Sequence, residues 1–256
     1  MTRAEIDALV AEVGDTLLRR IHAGSPFSAE PPDEAAPPSA AERAVDSESW
    51  PNGIDLEAAG SPASGVLLRS CQRAIAENRR ALHVPASRIA LIARGLRGSP
   101  VRSVARCGLP WGAAAPVAML EAELALAQGA NEIVLTADVA ALVDRNLERA
   151  FAAMAGVQRL AARAGAAMTV ALPVGALDER ACLAAAALSQ LAGASSLQLD
   201  LAGASTAADQ VVRLARRAVR ENAPVAVSGA ATPLATLRAV GADRLIVSAA
   251  SLDGGS

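Results

Sequence analysis

From about residue 53 onward, short apolar runs alternate with longer segments in which apolar residues recur every three or four positions. The short runs predict strands at 53–56, 81–84, 101–107, 132–137, 167–172, 196–200, 224–228 and 244–248. The longer segments predict helices at 65–79, 86–97, 114–128, 139–164, 179–191, 206–221 and 233–240. Such an alternation predicts an α/β protein whose parallel sheet closes into a (β/α)8 TIM barrel. A doubly wound sheet is the alternative, which is disfavoured because no GxGxxG motif follows the first strand.

The segment from Ser196 to Gly203 predicts which side chains the barrel interior holds. Strict alternation places three leucines on one face of this strand and Gln198 and Asp200 on the other. In a barrel the leucines would face the helices, and Gln198 and Asp200 would point inward. Asp200 would lie nearest the C-terminal mouth, where barrel enzymes hold their catalytic groups.

A separate apolar stripe runs along residues 1–22 and predicts an amphipathic helix. Thr2 is suited to be its N-cap, and Glu5 completes a capping box three residues later. The opposite face is acidic with few cations, which disfavours an anionic membrane surface as its target. The stripe consists of Ile6, Leu9, Val10, Val13, Leu17 and Ile21.

Residues 23–52 separate this helix from the barrel and are rich in Pro, Ala, Ser and Glu. A segment of this composition buries too little apolar surface to offset the entropy of ordering, so it predicts a disordered linker. The chain is therefore predicted to contain a targeting or interaction helix at 1–22, the linker at 23–52 and the barrel at 53–256.

The composition limits the chemistry that the barrel can perform. All 24 Lys+Arg residues are arginine, so the chain contains no lysine. A net charge of −2 without a basic stripe argues against nucleic acid as a partner. Three widely spaced cysteines and two histidines predict neither a disulfide framework nor a metal site, and no cofactor is indicated. The sequence shows no signal-peptide pattern and no long uncharged apolar run, so we expect a cytoplasmic protein without a membrane span.

Several local motifs resemble those of a known family in both order and spacing. They are Ile54-Asp55, Leu82-His83-Val84-Pro85, Gly108-Leu109-Pro110-Trp111-Gly112-Ala113, Gly129-Ala130-Asn131-Glu132-Ile133 and Val227-Ser228-Gly229. Together they resemble the motifs of deoxyribose-phosphate aldolases, which are class I aldolases on a TIM barrel. The resemblance spans roughly residues 53–250 and implies the same fold.

The positions that carry the family's chemistry differ in this chain. By the resemblance, Gln198 stands where the family has its Schiff-base lysine, Val134 where it has its proton-relay aspartate, and Ala226 where it has a second lysine. A glutamate expected on the fifth strand corresponds to Leu172. Because a Schiff base requires a primary amine, the resemblance implies a family member that has lost this aldolase chemistry.

The resemblance also suggests where a phosphate group would bind. The glycine-rich loops of the family correspond here to segments that contain Gly203, Ser228, Gly229 and Ser248. Backbone amides at a helix N-terminus can hold an anion without side-chain help, so phosphate binding at these positions is one interpretation. The other is that these residues only form turns and cap the barrel end.

Other polar residues are candidates for acid–base chemistry. Asp55, Asp138 and Asp200 would raise one another's pKa if they converged near the mouth, whereas aspartates more commonly cap helices or pair with arginines. His83 is interpreted as a packed residue at a strand end, because nothing in the sequence pairs it with a nucleophile. Cys107 is interpreted as a small buried hydrophobe.

The helix at 1–22 and the following linker resemble the encapsulation peptides that tether cargo enzymes inside bacterial microcompartments. This resemblance implies shell or cargo proteins as partners and a location inside such a compartment. Packing of the helix on its own barrel, or against its copy in a homodimer, are the alternatives. Two functions remain open: a non-catalytic cargo, scaffold or sugar-phosphate-binding protein, and a repurposed lyase or isomerase that acts on a small phosphorylated sugar through carboxylates at the mouth.

Overall fold

The barrel predicted from the sequence is present and closed. The computed structural model describes residues 8, 11–13, 15, 53–58, 63–204, 208–219, 223–229 and 234–248. Eight parallel strands form one ring in chain order, with β1 also paired to β8, which excludes the doubly wound alternative. The strands are β1 (Ile54–Glu57), β2 (Ala81–Pro85), β3 (Arg102–Cys107), β4 (Glu132–Thr136), β5 (Ala167–Pro173), β6 (Ser196–Asp200), β7 (Val225–Ser228) and β8 (Arg244–Ser248).

Helices cover the outer face of this ring between successive strands. Those in the described ranges are α1 (Ser64–Ala76), α2 (Ile89–Gly95), α3 (Ala115–Ala127), α4 (Val139–Val143), α5 (Leu147–Arg163), α6 (Glu179–Leu191), α7 (Ala208–Ala218) and α8 (Leu234–Ala239). Short 3₁₀ turns at Ala86–Arg88 and Val174–Ala176 follow β2 and β5. None of the helices in these ranges is long and apolar enough to cross a membrane.

The single helix predicted over 139–164 is wrong, because the structure divides it into α4 and α5. Asp138 caps α4 by accepting a hydrogen bond from the Ala141 amide, and Asn146 caps α5 in the same way. Between them Arg145 adopts a left-handed conformation, with φ of 56°, which ends the first helix. The hydrophobic period alone does not reveal this break because apolar residues continue through it.

The alternation predicted for 196–201 is confirmed. Leu197, Leu199 and Leu201 belong to the large cluster between the strands and the helices, whereas Gln198 is buried and bonded to a side chain of β7. A second, separate cluster of Ala81, Val104, Val134 and Ala171 lies inside the ring. The barrel therefore has two hydrophobic regions, and the inner one is small.

Interior side chains from alternate strands stack in layers of four, as in other barrels of this kind. The strand register gives the hydrogen-bonded partners on neighbouring strands. Because the strands tilt, residues at the same height along the barrel axis are shifted from these partners by about one residue for each strand. From the N-terminal to the C-terminal end the layers are the floor (Ala81, Glu132, Ser196, Arg244), the lower layer (Asp55, Val104, Thr169, Ala226), the central layer (His83, Val134, Gln198, Ile246), the upper layer (Glu57, Arg106, Ala171, Ser228) and the rim (Pro85, Thr136, Asp200, Ser248).

Part of the N-terminal segment packs on the barrel. Ala8, Ala11–Val13 and Asp15 are helical, and Val13 is only 2% exposed within the same cluster that lies between strands and helices. Glu12 pairs with Arg180 at the start of α6, at 3.2 Å. The other stripe residues and the predicted linker at 23–52 lie outside the described residues. The contact of Val13 supports the alternative in which this segment packs on its own barrel.

An exposed apolar stripe lies on α3. Val117, Leu120 and Leu124 are each more than half exposed and follow one another at helical spacing. An apolar face of this kind on a helix is typical of a surface that contacts another protein.

Burial of Val13 leads to a stability prediction. Replacing Val13 with Ala removes two buried methyl groups and should lower the free energy of unfolding by about 2 kcal/mol. Chemical denaturation of the full-length protein measures this change. Glu12→Gln is the matched control and should have almost no effect, because its pair with Arg180 is exposed. Equal stability of Val13→Ala and the wild type would contradict packing of this segment on the barrel.

Candidate functional site

The floor and lower layer hold a buried ion network centred on Arg80, the residue before β2. Its guanidinium donates to both carboxylate oxygens of Asp55, at 2.9 and 2.5 Å, and to Oε2 of Glu132 at 3.0 Å. Both carboxylates are almost fully buried. A two-pronged guanidinium contact of this kind is among the strongest ways to hold a buried carboxylate in its charged form.

The remaining oxygen of Glu132 is also satisfied. Thr169 Oγ1 donates to Glu132 Oε1 at 2.8 Å, and Ser196 Oγ lies 2.5 Å from the same hydroxyl. Arg244 approaches Glu132 across the floor at 4.0 Å. These contacts close the N-terminal end of the barrel with polar side chains that bond to one another.

The network controls the pKa of its carboxylates. Burial alone would raise the pKa of Glu132, but the charges of Arg80 and then Arg244 outweigh it and lower the pKa to about 2. Asp55 follows the same pattern: burial opposes ionisation, yet Arg80 and the hydrogen bond from His83 hold its pKa well below the usual range. Both groups are therefore ionised at neutral pH.

His83 connects this network to the central layer. Its Nε2 lies 2.9 Å from Asp55 Oδ2, and both side chains are buried. Its Nδ1 is also buried but has no hydrogen-bond partner among the described residues. His83 lies in the middle of β2, not at a strand end as predicted, and its partner Asp55 precedes it by 28 residues in the sequence.

The upper layer contains a second ion pair that the sequence analysis missed. Arg106 on β3 donates through Nη1 to Glu57 on β1, and both side chains are largely buried. Burial lowers the pKa of Arg106, an effect that the nearby charge of Asp200 opposes. The Nε of Arg106 has no partner in the described part of the chain. The sequence signal for this pair is a charged residue at an inward-facing position of each strand, Glu57 on β1 and Arg106 on β3.

Gln198 lies in the central layer, on the opposite side of the barrel from His83. Its Nε2 donates to Ser228 Oγ at 3.1 Å, whereas its Oε1 is buried without a partner among the described residues. Asp200, two residues later on β6, lies at the rim, and its Oδ1 accepts from the Ala202 amide at 3.2 Å. The inward orientation predicted for Gln198 is therefore confirmed.

Comparison with known proteins identifies the family. No family model matches the chain. A deoxyribose-phosphate aldolase from Methanothermobacter thermautotrophicus is 30% identical over 183 residues, which cover 69% of this chain and 80% of that protein. The chain belongs to the deoxyribose-phosphate aldolase family.

Solved structures agree with this fold. A crystal structure from Coccidioides immitis, described as that of a deoxyribose-phosphate aldolase, has a TM-score of 0.72 at 19% identity and covers 98% of this chain and 96% of its own. The deoxyribose phosphate aldolase from Aeropyrum pernix, which is described as tetrameric, has a TM-score of 0.69 at 19% identity. It covers 82% of this chain and 94% of its own.

The positions that the aldolase resemblance singles out lie together in the barrel, with one exception. Val134 shares the central layer with Gln198, and Ala226 pairs in register with Gln198 from the layer below. Leu172 instead belongs to the cluster between strands and helices, so it faces away from the interior. The assignment of a site residue to Leu172 is therefore wrong, because side chains alternate along β5 and Ala171 is the one that faces inward.

The predicted cluster of three aspartates is not supported. Asp138 caps α4 and also accepts from Arg149 Nε at 2.9 Å. Asp55 is held by Arg80, and its pKa is lowered where mutual repulsion would have raised it. The interpretation that they raise one another's pKa is therefore wrong for Asp55, because a neighbouring arginine dominates its electrostatics.

The glycines proposed for phosphate binding form the turns after β6 and β7. Gly203 and Gly229 have φ of 70° and 67°, a conformation that side chains rarely adopt. A Cβ on Gly229 would lie 2.8 Å from the Ala202 amide nitrogen, so the two turns pack closely. Ser228 already accepts from Gln198, and Ser248 pairs in register with Glu57. Phosphate binding at these four residues remains a prediction.

Two further features lie apart from the barrel interior. Burial raises the pKa of the Cys107 thiol to about 12, which agrees with its interpretation as a small buried hydrophobe.

A cleft of about 410 Å³ opens near the N-terminal ends of β3 to β5, beside Arg102 and Asn131. It lies at the end opposite the strand C-termini, so we do not place the functional site there. Among the described residues no group of acidic, His and Cys side chains is arranged to hold a metal ion.

The Arg80 network predicts the response to acid. A carboxylate whose pKa is lowered by folding stabilises the folded state above its unfolded pKa and loses that effect as the pH falls through its folded pKa. For Glu132 this window runs from its usual value of 4.5 down to about 2. We expect the free energy of unfolding to be nearly constant above about pH 5 and to fall across this window.

Denaturant titrations at several pH values measure this dependence. Glu132→Gln should reduce the slope between these pH limits, because one linked carboxylate is removed. It should also lower stability at neutral pH, because removing one partner from a buried ion pair costs about 3 to 5 kcal/mol. An unchanged slope in Glu132→Gln would contradict the assignment.

Proposed function

We propose that this protein is a member of the deoxyribose-phosphate aldolase family that does not form a Schiff base and that binds a small phosphorylated sugar in its barrel. The observation that carries the proposal is the complete lack of lysine in 256 residues. A Schiff base forms when a primary amine attacks a carbonyl carbon, and lysine is the side chain that supplies this amine. We therefore assign the protein a binding role without the aldol cleavage of its relatives.

The side chains at the family's positions do not replace that amine. The Gln198 nitrogen is an amide, whose lone pair is delocalised, and it donates to Ser228. Val134 and Ala226 carry no group that can transfer a proton. Arginine is not a substitute either, because a guanidinium stays protonated near neutral pH and is not nucleophilic.

The second candidate is a repurposed lyase or isomerase. The observation that favours it is a set of buried polar atoms in the interior that have no partner among the described residues, on His83, Gln198 and Arg106. Unpaired buried polar atoms are costly in a folded protein, so a ligand that bonds to them is a natural explanation. The mouth carboxylates suggested by the sequence fit this role less well, because Asp138 caps a helix and Asp55 pairs with Arg80.

Association between copies is also part of the proposal. The exposed stripe of Val117, Leu120 and Leu124 on α3 supports it, because these side chains offer an apolar face for a neighbouring copy. The Aeropyrum pernix relative is described as tetrameric.

The lack of aldol chemistry is tested directly. Purified protein should not cleave deoxyribose 5-phosphate, and borohydride reduction in the presence of this sugar should leave its mass unchanged. An active aldolase of the family is the positive control for both assays. A covalent adduct on an interior residue, located by peptide mapping, would overturn the proposal. Binding without chemistry is measured by calorimetry with the same sugar phosphate, and absence of binding would leave only the cargo or scaffold role.

Gln198→Lys alone should give little activity, because Val134 and Ala226 leave the new amine without a proton relay or a charge that lowers its pKa.

A role inside a bacterial microcompartment is a separate proposal for residues 1–22. Its support is the apolar stripe in the sequence, and the burial of Val13 on the barrel is a competing use of the same face. A fluorescent reporter that carries residues 1–45 should form puncta that depend on shell proteins from the same genome. Val13→Asp should abolish these puncta, because docking would bury an unpaired carboxylate, whereas Asp7→Ser on the polar face should not. Diffuse signal beside a formed shell would overturn this role.

A further inference from the structure

Three unpartnered polar atoms lie on interior side chains in the middle of the barrel. They are His83 Nδ1, Gln198 Oε1 and Arg106 Nε, and none has a hydrogen-bond partner among the described residues. His83 and Gln198 occupy the central layer on strands four apart in a ring of eight, so they lie on opposite sides. Arg106 belongs to the layer directly above. The three residues therefore lie in adjacent layers of the interior, on three different strands.

The side chains that face inward next to these atoms are small. Bulky branched residues usually fill barrels of this kind. Here Ala171 stands in the upper layer and Ala226 in the lower layer, and both face inward beside Gln198. Small side chains next to polar atoms without partners are typical of a site that holds a small polar molecule.

Asp55 sets the chemical state of His83. Its carboxylate lies 2.9 Å from His83 Nε2 and is itself held by Arg80 at 2.5 Å, so the ionised oxygen accepts a hydrogen bond from a proton on Nε2. With the proton on Nε2, the lone pair on the buried Nδ1 remains available. A histidine oriented by a carboxylate, with its other nitrogen unoccupied, is the arrangement that enzymes use for a general base.

We propose that His83 is a general base that removes a proton from the carbon next to a carbonyl group in a small hydroxycarbonyl phosphate. This inference rests on the proposed binding function and adds chemistry to it. Nδ1 takes the proton, the C–H electron pair forms the C=C bond of an enolate, and the carbonyl oxygen receives the negative charge. Arg106 Nε donates to that oxygen, and Gln198 Oε1 accepts from a ligand hydroxyl. Return of the proton from Nδ1 to carbon completes the cycle without any further reactant.

The donor and acceptor pattern selects this ligand class. His83 Nδ1 and Gln198 Oε1 are acceptors and require hydroxyl or C–H groups, whereas Arg106 Nε is a charged donor and requires an oxygen. A molecule with adjacent hydroxyl and carbonyl groups supplies both within a few bonds. Asp55 acts through His83 and is therefore a positioning residue.

The test is hydrogen exchange at carbon. Wild-type protein in D₂O should replace the carbon-bound hydrogens next to the carbonyl of dihydroxyacetone phosphate with deuterium, which proton NMR follows. His83→Gln keeps a donor toward Asp55 but lacks the base, so exchange should slow by about 100-fold or more. His22→Gln removes the other histidine of the chain and is the matched control, with exchange at the wild-type rate. Melting curves of both variants verify that they remain folded.

The outcomes separate this inference from the proposed function. Exchange that persists in folded His83→Gln, or no exchange by wild-type protein that binds the probe, would overturn the role of His83 and leave the binding function intact. Exchange that borohydride abolishes, together with a covalent adduct, would overturn the proposed function itself.

A second measurement requires no variant. Nitrogen-15 NMR of the wild type distinguishes the two ring nitrogens of its two histidines, and His22→Gln assigns the signals. We expect His83 to carry its proton on Nε2 at pH 7.5 and its Nδ1 signal to shift on addition of dihydroxyacetone phosphate. A proton on Nδ1 in the free protein at that pH would overturn the proposal.

Discussion

The guanidinium of Arg80 is the contact on which the interior of this barrel depends. It neutralises Asp55 and Glu132 where neither carboxylate can reach water, and it connects β1 to β4 across the N-terminal end. Without this cation both carboxylates would be buried without their main counter-ion, and removing one partner from a buried ion pair is strongly destabilising. Because Asp55 is held in this way, it presents an ionised oxygen to His83. Stability at the floor and orientation in the central layer thus arise from one set of contacts.

The interior of the barrel differs from its outer layer in its chemistry. Between strands and helices the packing is apolar and continuous, built largely from Ala, Val and Leu. Inside the ring, the floor is closed by a hydrogen-bonded ion network in which Arg244 Nε has no partner among the described residues. The other interior polar atoms without such partners lie in the layers above it, on His83, Gln198, Arg106 and Thr136. The greater number of unsatisfied groups above the floor agrees with the general location of function in barrels of this kind, which is the C-terminal end.

Membership of the deoxyribose-phosphate aldolase family and the lack of lysine together define what is unusual about this protein. The fold provides inward-facing positions on several strands, and these positions carry whatever chemistry the side chains allow. Here the position assigned to the amine holds a glutamine on β6, and the histidine stands across the barrel on β2. If His83 is the base, the proton-transfer group has moved to the opposite wall while the barrel has stayed the same.

The sequence by itself determined the barrel and the inward orientation of Gln198, because hydrophobic period and strand alternation are local properties of the chain. It also determined that no lysine side chain is available for a Schiff base, since a residue type that is missing from the chain is missing from every arrangement of it. Only the tertiary structure decided the partners of Asp55 and His83, and the burial of Val13. Arg80 and Glu132 are 52 residues apart, and Arg106 and Glu57 are 49 apart, so their pairing depends on ring closure and strand register. No local pattern encodes such contacts, because the closed ring brings together strands that are distant along the chain.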